Sequence, residues 1–249
     1  MVRKSFAFAS DKVSIAYPLI AGLGDTVIAK KIFDAVIELA PDCLIDIFCL
    51  TENHKKLAAA FFGQSENLNL ILDFQEHYQR TVNSYDLVLH LFGSRAVILD
   101  YVNIQSLPMK SPALAESVAK ISNYNAANVE KIGSENAISL RNTSAARVLG
   151  KNCYYFLSCG GALPIRDDKV NIPLLPEYQA AFDELNLDKY ITIYTDISER
   201  EKEQPKVKTW SIRYLHEYVA LMKTHLPQVE IAQVGGAKIL KLKMPTDTF

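Results

Sequence analysis

Gly22, Gly24, Asp25 and Thr26 stand together in the segment Ala21-Gly22-Leu23-Gly24-Asp25-Thr26-Val27, and a second short segment, Lys208-Thr209-Trp210, lies far along the chain. Each falls between an apolar, strand-like run and an amphipathic helical pattern, where α/β folds put loops that hold phosphates and carry reactive groups. Two glycines let the backbone turn tightly and approach a ligand. A helix beginning near Asp25 would aim its unpaired N–H groups and positive dipole end into the same space, which suits an anion. Asp25 itself argues otherwise, because its carboxylate would repel a diphosphate. Two roles are open to it: N-cap of the helix, or general base drawing a proton from an acceptor hydroxyl.

Lys208 precedes a helix that Ser211 is placed to cap, so an ammonium and a helix N-terminus would converge on a leaving phosphate. The same lysine also belongs to a charged run with Glu199, Glu201, Lys202, Glu203 and Lys206, as a solvated loop would. Trp210, the only tryptophan, has the character of a packing anchor. The two segments are expected to form half-sites facing one cleft.

Other chemistries lack their signatures. His54, His77, His90, His216 and His225 make no HxH or HExxH spacing, so no metal site is expected. No GxSxG elbow occurs. Cys43, Cys49, Cys153 and Cys159 have neither CxxC spacing nor the density of a disulfide scaffold, and read as buried, reduced thiols. A nicotinamide-dependent oxidoreductase is a further reading, with Glu52 as the acidic residue after the second strand. It is weakened because Gly22-x-Gly24-x-x-Val27 ends on valine where a small residue should sit.

The elements that must position these residues follow from the apolar pattern. Val13 to Ile20 reads as a buried strand, and Ile28, Ile32, Val36 and Leu39 recur at helical spacing until Pro41-Asp42. Leu44 to Leu50 is a second strand, so the chain opens with a βαβ unit, the start of a doubly wound sheet. A helix over Lys55 to Phe62, an apolar run Leu68 to Leu72 and a strand Tyr85 to Phe92 continue an α/β alternation. From Pro108 to Gly150 the chain is polar and helical, and Cys153 to Leu157 is strand-like. Pro164, Pro173 and Pro176 bracket Arg166 to Lys169 as an interdomain connection would. Beyond it come a strand Tyr190 to Thr195, a charged loop, a helix with the apolar stripe Leu215, Tyr218, Val219, Met222 and Leu226, and a strand Val229 to Val234 ending in Gly235-Gly236. The expected domains are 1–170 and 171–249, the second incomplete because one βαβ unit offers few elements to cover a parallel sheet.

Composition narrows the partners. Lys+Arg 27 against Asp+Glu 28 leaves a net charge of -1, so no basic field draws the 249-residue chain to nucleic acid or anionic lipid. The 49% hydrophobic content is enough for a sizeable core. No apolar run reaches membrane-spanning length and the N-terminus lacks a secretory h-region, so a cytoplasmic location is expected.

Taken together, the chain resembles the family 9 glycosyltransferases, the ADP-heptose:lipopolysaccharide heptosyltransferase-like group of GT-B architecture, whose two Rossmann-like domains face each other. Three stretches carry the resemblance: Gly22 to Val27 with its helix and following strand; Tyr190 to Thr195 followed by Lys208-x-Trp210; and Ile231-Ala232-Gln233-Val234-Gly235-Gly236. The resemblance implies that Asp25 is the catalytic base, that Lys208 binds the donor diphosphate and that Thr195 contacts a phosphate. It implies an inverting, metal-independent transfer from a nucleotide sugar such as ADP-heptose, with no cofactor, to a glycan or lipopolysaccharide-type acceptor. A lipid-linked acceptor would bring peripheral membrane contact. The chain departs from the family at Ser211-Ile212-Arg213, where proline and then glutamate are usual, and it contains no Asp-Ser/Thr-Gly-x-x-His segment. Two expectations follow: a fragment or shortened relative of a longer enzyme, or a GT-B-like binding or regulatory module without catalysis.

Overall fold

The computed structural model describes residues 5–20, 22–62, 65–72, 74–92, 96–132, 144, 147–150, 154–166, 169–170, 172, 176–194, 212–235 and 238–241. The chain divides into two compact units, residues 1–174 and 175–249. Both are mixed α/β, and a mostly parallel five-stranded sheet forms the centre of the first.

In the first unit β1 (Ser14–Leu19), β2 (Leu44–Cys49), β3 (Leu68–Leu72), β4 (Leu87–Phe92) and β5 (Ala96–Val102) assemble in the order β3-β2-β1-β4-β5. β1 to β4 are parallel neighbours, with Ser14 to Leu19 in register against Leu44 to Cys49. Between them run α1 (Leu23–Leu39) and α2 (Glu52–Phe62), and a short α3 (Gln79–Thr81) lies within the crossover from β3 to β4. α4 (Ser106–Lys110) and α5 (Pro112–Ile132) follow β5, and α6 (Tyr154–Leu157) comes later.

Strand alternation divides the sheet into two unlike faces. Ile15, Tyr17, Leu19, Ile45, Ile47 and Leu89 pack against α1, α2 and α5, forming the main core with Ile32, Phe33, Val36, Phe62, Val118 and Ile121. Ala16, Phe48 and Val88 face the other way, under Ala7, Tyr85 and the half-buried rings of Phe6, Phe8, Phe74 and Tyr78. The first crossovers therefore cover one face with long helices, whereas the β3–β4 crossover lies over the second face as short helical turns.

Two buried carboxylates pin the structure at the sheet. Asp46 accepts hydrogen bonds from the Tyr85 hydroxyl (2.7 Å), Asn69 Nδ2 (3.1 Å) and the backbone N–H of Ala7, tying the N-terminal segment to β2. Asp86, just before β4, accepts from the Ser14 backbone N–H and hydroxyl, both at 2.8 Å, and from Lys110 Nζ at 2.9 Å. Burial alone would raise the Asp86 pKa, but hydrogen bonds from Ser106, Lys110 and Ser14 outweigh it and hold the carboxyl below its ordinary value. A depressed carboxylate stabilises the fold above its unfolded pKa of about 3.9 and loses that contribution as pH falls through the lower folded value. Asp86→Asn should therefore lower the melting temperature at pH 7, and the gap to wild type should narrow as pH falls below the unfolded carboxylate value of about 3.9. A constant gap across a pH series of thermal melts would refute the assignment.

The second unit holds α7 (Pro176–Asp183), β6 (Tyr190–Tyr194), α8 (Ile212–His225), β7 (Glu230–Gly235) and β8 (Lys238–Lys241). β6 and β7 are parallel, and β8 pairs antiparallel to β7. Val219 from the expected stripe is buried, Tyr218 and Met222 are half-buried, and Leu226 is exposed.

Four elements correct the sequence reading. The run at Cys153 to Leu157 is not a strand where described: Tyr154–Leu157 is a helix, ended by left-handed Cys159, Gly160 and Gly161. A five-residue apolar run has no distinguishing period, and the downstream glycines favour a helix stop. β5 was not anticipated; only 93–95 separate it from β4, and Gly93-Ser94 followed by an apolar run is a hairpin signal. Pro176, expected in a connection, instead opens a helix at the position proline favours. β8, after Gly235-Gly236, is a further strand beyond those the apolar pattern predicts.

Candidate functional site

The loop after β1 lies at a topological switch point. From β1 the chain moves through β2 to β3 on one side of the sheet, then returns to add β4 on the other side of β1. In open α/β sheets, ligands lie outside the carboxyl ends of the strands at this reversal. Gly22 to Thr26 forms that loop and the first turn of α1.

The strands also part there. The β1–β4 ladder joins Ile15 to Leu87 and Ala16 to Val88 and then stops, although both strands continue. Pro18 of β1 has no N–H to offer, and between Val88 and Leu89 the register of β4 against β5 shifts.

Asp25 is not the N-cap. Gly22 occupies that position in extended backbone and provides no side-chain cap, so the helix starts two residues earlier than expected and Asp25 is its third residue. There its charge favours the positive end of the helix. It is half-buried, neither sealed in the core nor fully solvated. Thr26 is buried and structural: its backbone N–H and Oγ1 both bond the Gly22 carbonyl at 3.0 Å, closing the first turn. Val27 packs on the main core.

Neither Gly22 nor Gly24 is required by the protein's own packing. A Cβ built on either would meet nothing within 4 Å, and neither has positive φ. Gly24→Ala should then raise stability by about 0.4–1 kcal/mol, because alanine loses less entropy on entering a helix. A thermal melt checks this, and a lower melting temperature would contradict the open space around Gly24.

Tyr17 belongs to β1, the strand that leads into this loop. It is buried, and its ring packs edge-on against Phe33 of α1 at 4.7 Å. Burial drives its pKa far up; the Leu91 backbone opposes this, and the negative charge of Asp25 adds to it.

The second half of the expected site, Thr195, Lys208 and Trp210, lies outside the described residues. Glu52 is the exposed first residue of α2, at the carboxyl end of β2. Cys43, Cys49 and Cys159 are buried thiols as expected, and burial pushes Cys49 and Cys159 up to about 12. Cys153 lies outside the described residues. His54 Nδ1 bonds Thr51 Oγ1 at 2.8 Å, His77 lies against Phe6, and His90 pairs with Asp100 at 2.8 Å. Among the described residues no group of three or more His, Cys, Asp or Glu side chains could hold a metal ion, and no helix is long and apolar enough to cross a membrane.

No family model, curated protein or solved structure matches the chain.

Proposed function

We propose that the chain is an inverting, metal-independent glycosyltransferase of GT-B type that moves a heptose-like sugar from a nucleotide-sugar donor to a glycan or lipopolysaccharide-type acceptor. The observation that carries this reading is the half-buried Asp25 carboxylate in the first turn of α1, at the β1–β4 switch point. A ligand-binding position with a carboxylate and two sterically unneeded glycines suits a hydroxyl acceptor better than a diphosphate.

In the proposed reaction Asp25 takes the proton of an acceptor hydroxyl, whose oxygen bonds the donor's anomeric carbon from the face opposite the leaving group. The bond from that carbon to the diphosphate oxygen breaks. Lys208, with the helix behind it, neutralises the departing nucleoside diphosphate, and Thr195 contacts a phosphate. These two donor-side roles rest on the resemblance alone.

The test is calorimetry of the full chain with ADP, GDP and UDP, followed by incubation with the matching sugar donors, ADP-heptose among them. One nucleoside diphosphate should bind, and its sugar donor should be consumed. If none binds, the reading gives way to a GT-B-like module without catalysis.

A further inference from the structure

β4 and β5 fall out of step at one residue. Val88 pairs with Tyr101 and Leu89 with Leu99, so Asp100 is an extra residue, bulged out of the ladder. The bulge breaks the alternation of β5. Leu99 and Val102 pack on the main core, Tyr101 packs on the second face, and Asp100, the residue after Leu99, turns to the second face as well. His90, between the core residues Leu89 and Leu91 of β4, is turned to the same side. Bulges of this kind re-aim a side chain at the cost of ladder bonds.

Three side chains meet where Asp100 is re-aimed. His90 Nδ1 lies 2.8 Å from Asp100 Oδ2, and the Tyr78 hydroxyl lies 3.3 Å from the same oxygen. An ionised carboxylate only accepts, so the imidazole and the phenol both donate to it. Burial, and after it the Asp100 charge and bond, push the Tyr78 phenol up, so it keeps the proton it donates. Both bonds fall on Oδ2; among the described residues none bonds Oδ1, and Asp100 is exposed. Aromatic surface lies beside it: the Tyr78 ring stacks on Phe74, centroids 4.7 Å apart and planes 14° from parallel, and Phe74, Tyr78 and Tyr101 are half-buried. The carboxylate charge disfavours an anion. The two donors already on it lessen its pull on a cation. A neutral ring with hydroxyls to donate and a C–H face to lay on the aromatics fits both halves.

We propose that this cluster on the second face of the sheet is a saccharide-binding site, in which Asp100 Oδ1 accepts from a sugar hydroxyl while a neutral pyranose ring lies against Phe74 and Tyr78. His90 and the Tyr78 hydroxyl hold the carboxylate in place, so little side-chain entropy is lost when the sugar binds. The site is on the face opposite the one that α1 covers. It stands on its own contacts and holds or fails apart from the glycosyltransfer reading.

Saturation-transfer NMR of the full chain with the methyl glycosides of glucose, galactose and mannose, beside choline and inorganic phosphate, tests this. At least one glycoside should receive saturation, and adding it should shift the His90 ring resonances, assigned by their loss in His90→Gln. Asp100→Ala should weaken that glycoside about tenfold or more, the loss of one hydrogen bond to a charged group. Phe74→Leu, which keeps most of the volume but not the ring, should weaken it too, and a thermal melt checks that each variant is folded. No glycoside bound at millimolar concentration overturns the proposal, and so does a bound glycoside that leaves the His90 resonances unmoved. Choline or phosphate moving those resonances where no sugar does overturns it as well. A protein that binds sugar here and transfers none keeps the site and loses the glycosyltransfer reading. One that transfers sugar with His90 unmoved keeps the reading and loses the site.

Discussion

Asp25→Asn should reduce sugar transfer by roughly 10²- to 10⁴-fold, the range a positioned general base contributes. The amide is isosteric with the carboxylate and keeps the side chain's size, but it cannot take a proton from an acceptor hydroxyl. The same change should affect stability only slightly. Asp25 is the third residue of α1 and lies at the positive end of the helix dipole, so neutralising it costs about 0.3–1 kcal/mol. The two effects separate the roles cleanly. A residue serving only the dipole would give the small stability loss with nearly full turnover. Measuring kcat beside a thermal melt of the same variant decides the matter, and turnover within about threefold of wild type would remove Asp25 from the chemistry.

The largest stability effect should come from Phe33→Ala. Phe33 is 2% exposed and lies edge-on to both Tyr17, at 4.7 Å, and Phe62, at 4.9 Å, so it joins α1 to β1 and to α2. Truncating it removes the ring's burial and leaves a cavity between three elements, at a cost of about 3–5 kcal/mol. Against a total stability of about 5–15 kcal/mol, that is a large fraction. In a unit of this size the melting temperature should fall on the order of 10 °C. Phe33→Leu, which preserves most of the volume, should cost less than about 1.5 kcal/mol. Urea titration followed by circular dichroism checks both. Equal, small losses in the two variants would mean that the core closes around the missing ring.

Much of the first unit was legible in the residues because parallel strands are buried on both faces and read as continuous apolar runs. β1, β2, β3 and β4 are close to such runs, broken singly by Asp46 in β2, Asn69 in β3 and His90 in β4, and the α1 pattern of Ile28, Ile32 and Val36 returns at helical spacing. The pattern understated that helix's buried surface, since Ala29 and Phe33 also face the core. β5 was harder. It is half-buried and antiparallel, with the exposed Asp100 in its middle, so its run is shorter and its neighbour is set by a hairpin. Tyr154 to Leu157 misled for a different reason: four apolar residues satisfy a strand or one helical turn equally.

The candidate site divides in the same way. Its residue types were visible locally, since two glycines and an aspartate between a strand and a helix are a short-range pattern. The placement of Asp25 within the first turn instead of at its cap depends on where the backbone leaves extended geometry, and Gly22 takes the cap position without a side chain to announce it.

By itself, the sequence determined that a strand, a glycine turn with a carboxylate and an amphipathic helix follow one another near the start of an α/β chain. Hydrophobic period and turn chemistry are local properties, and they act over a few residues. Only the tertiary structure decided that this turn lies at the reversal of strand order, that the β1–β4 ladder ends after Ala16 and Val88, and that Tyr17 packs edge-on against Phe33 of α1. Those facts depend on register and strand order between segments some seventy residues apart, which long-range packing selects and no local pattern encodes.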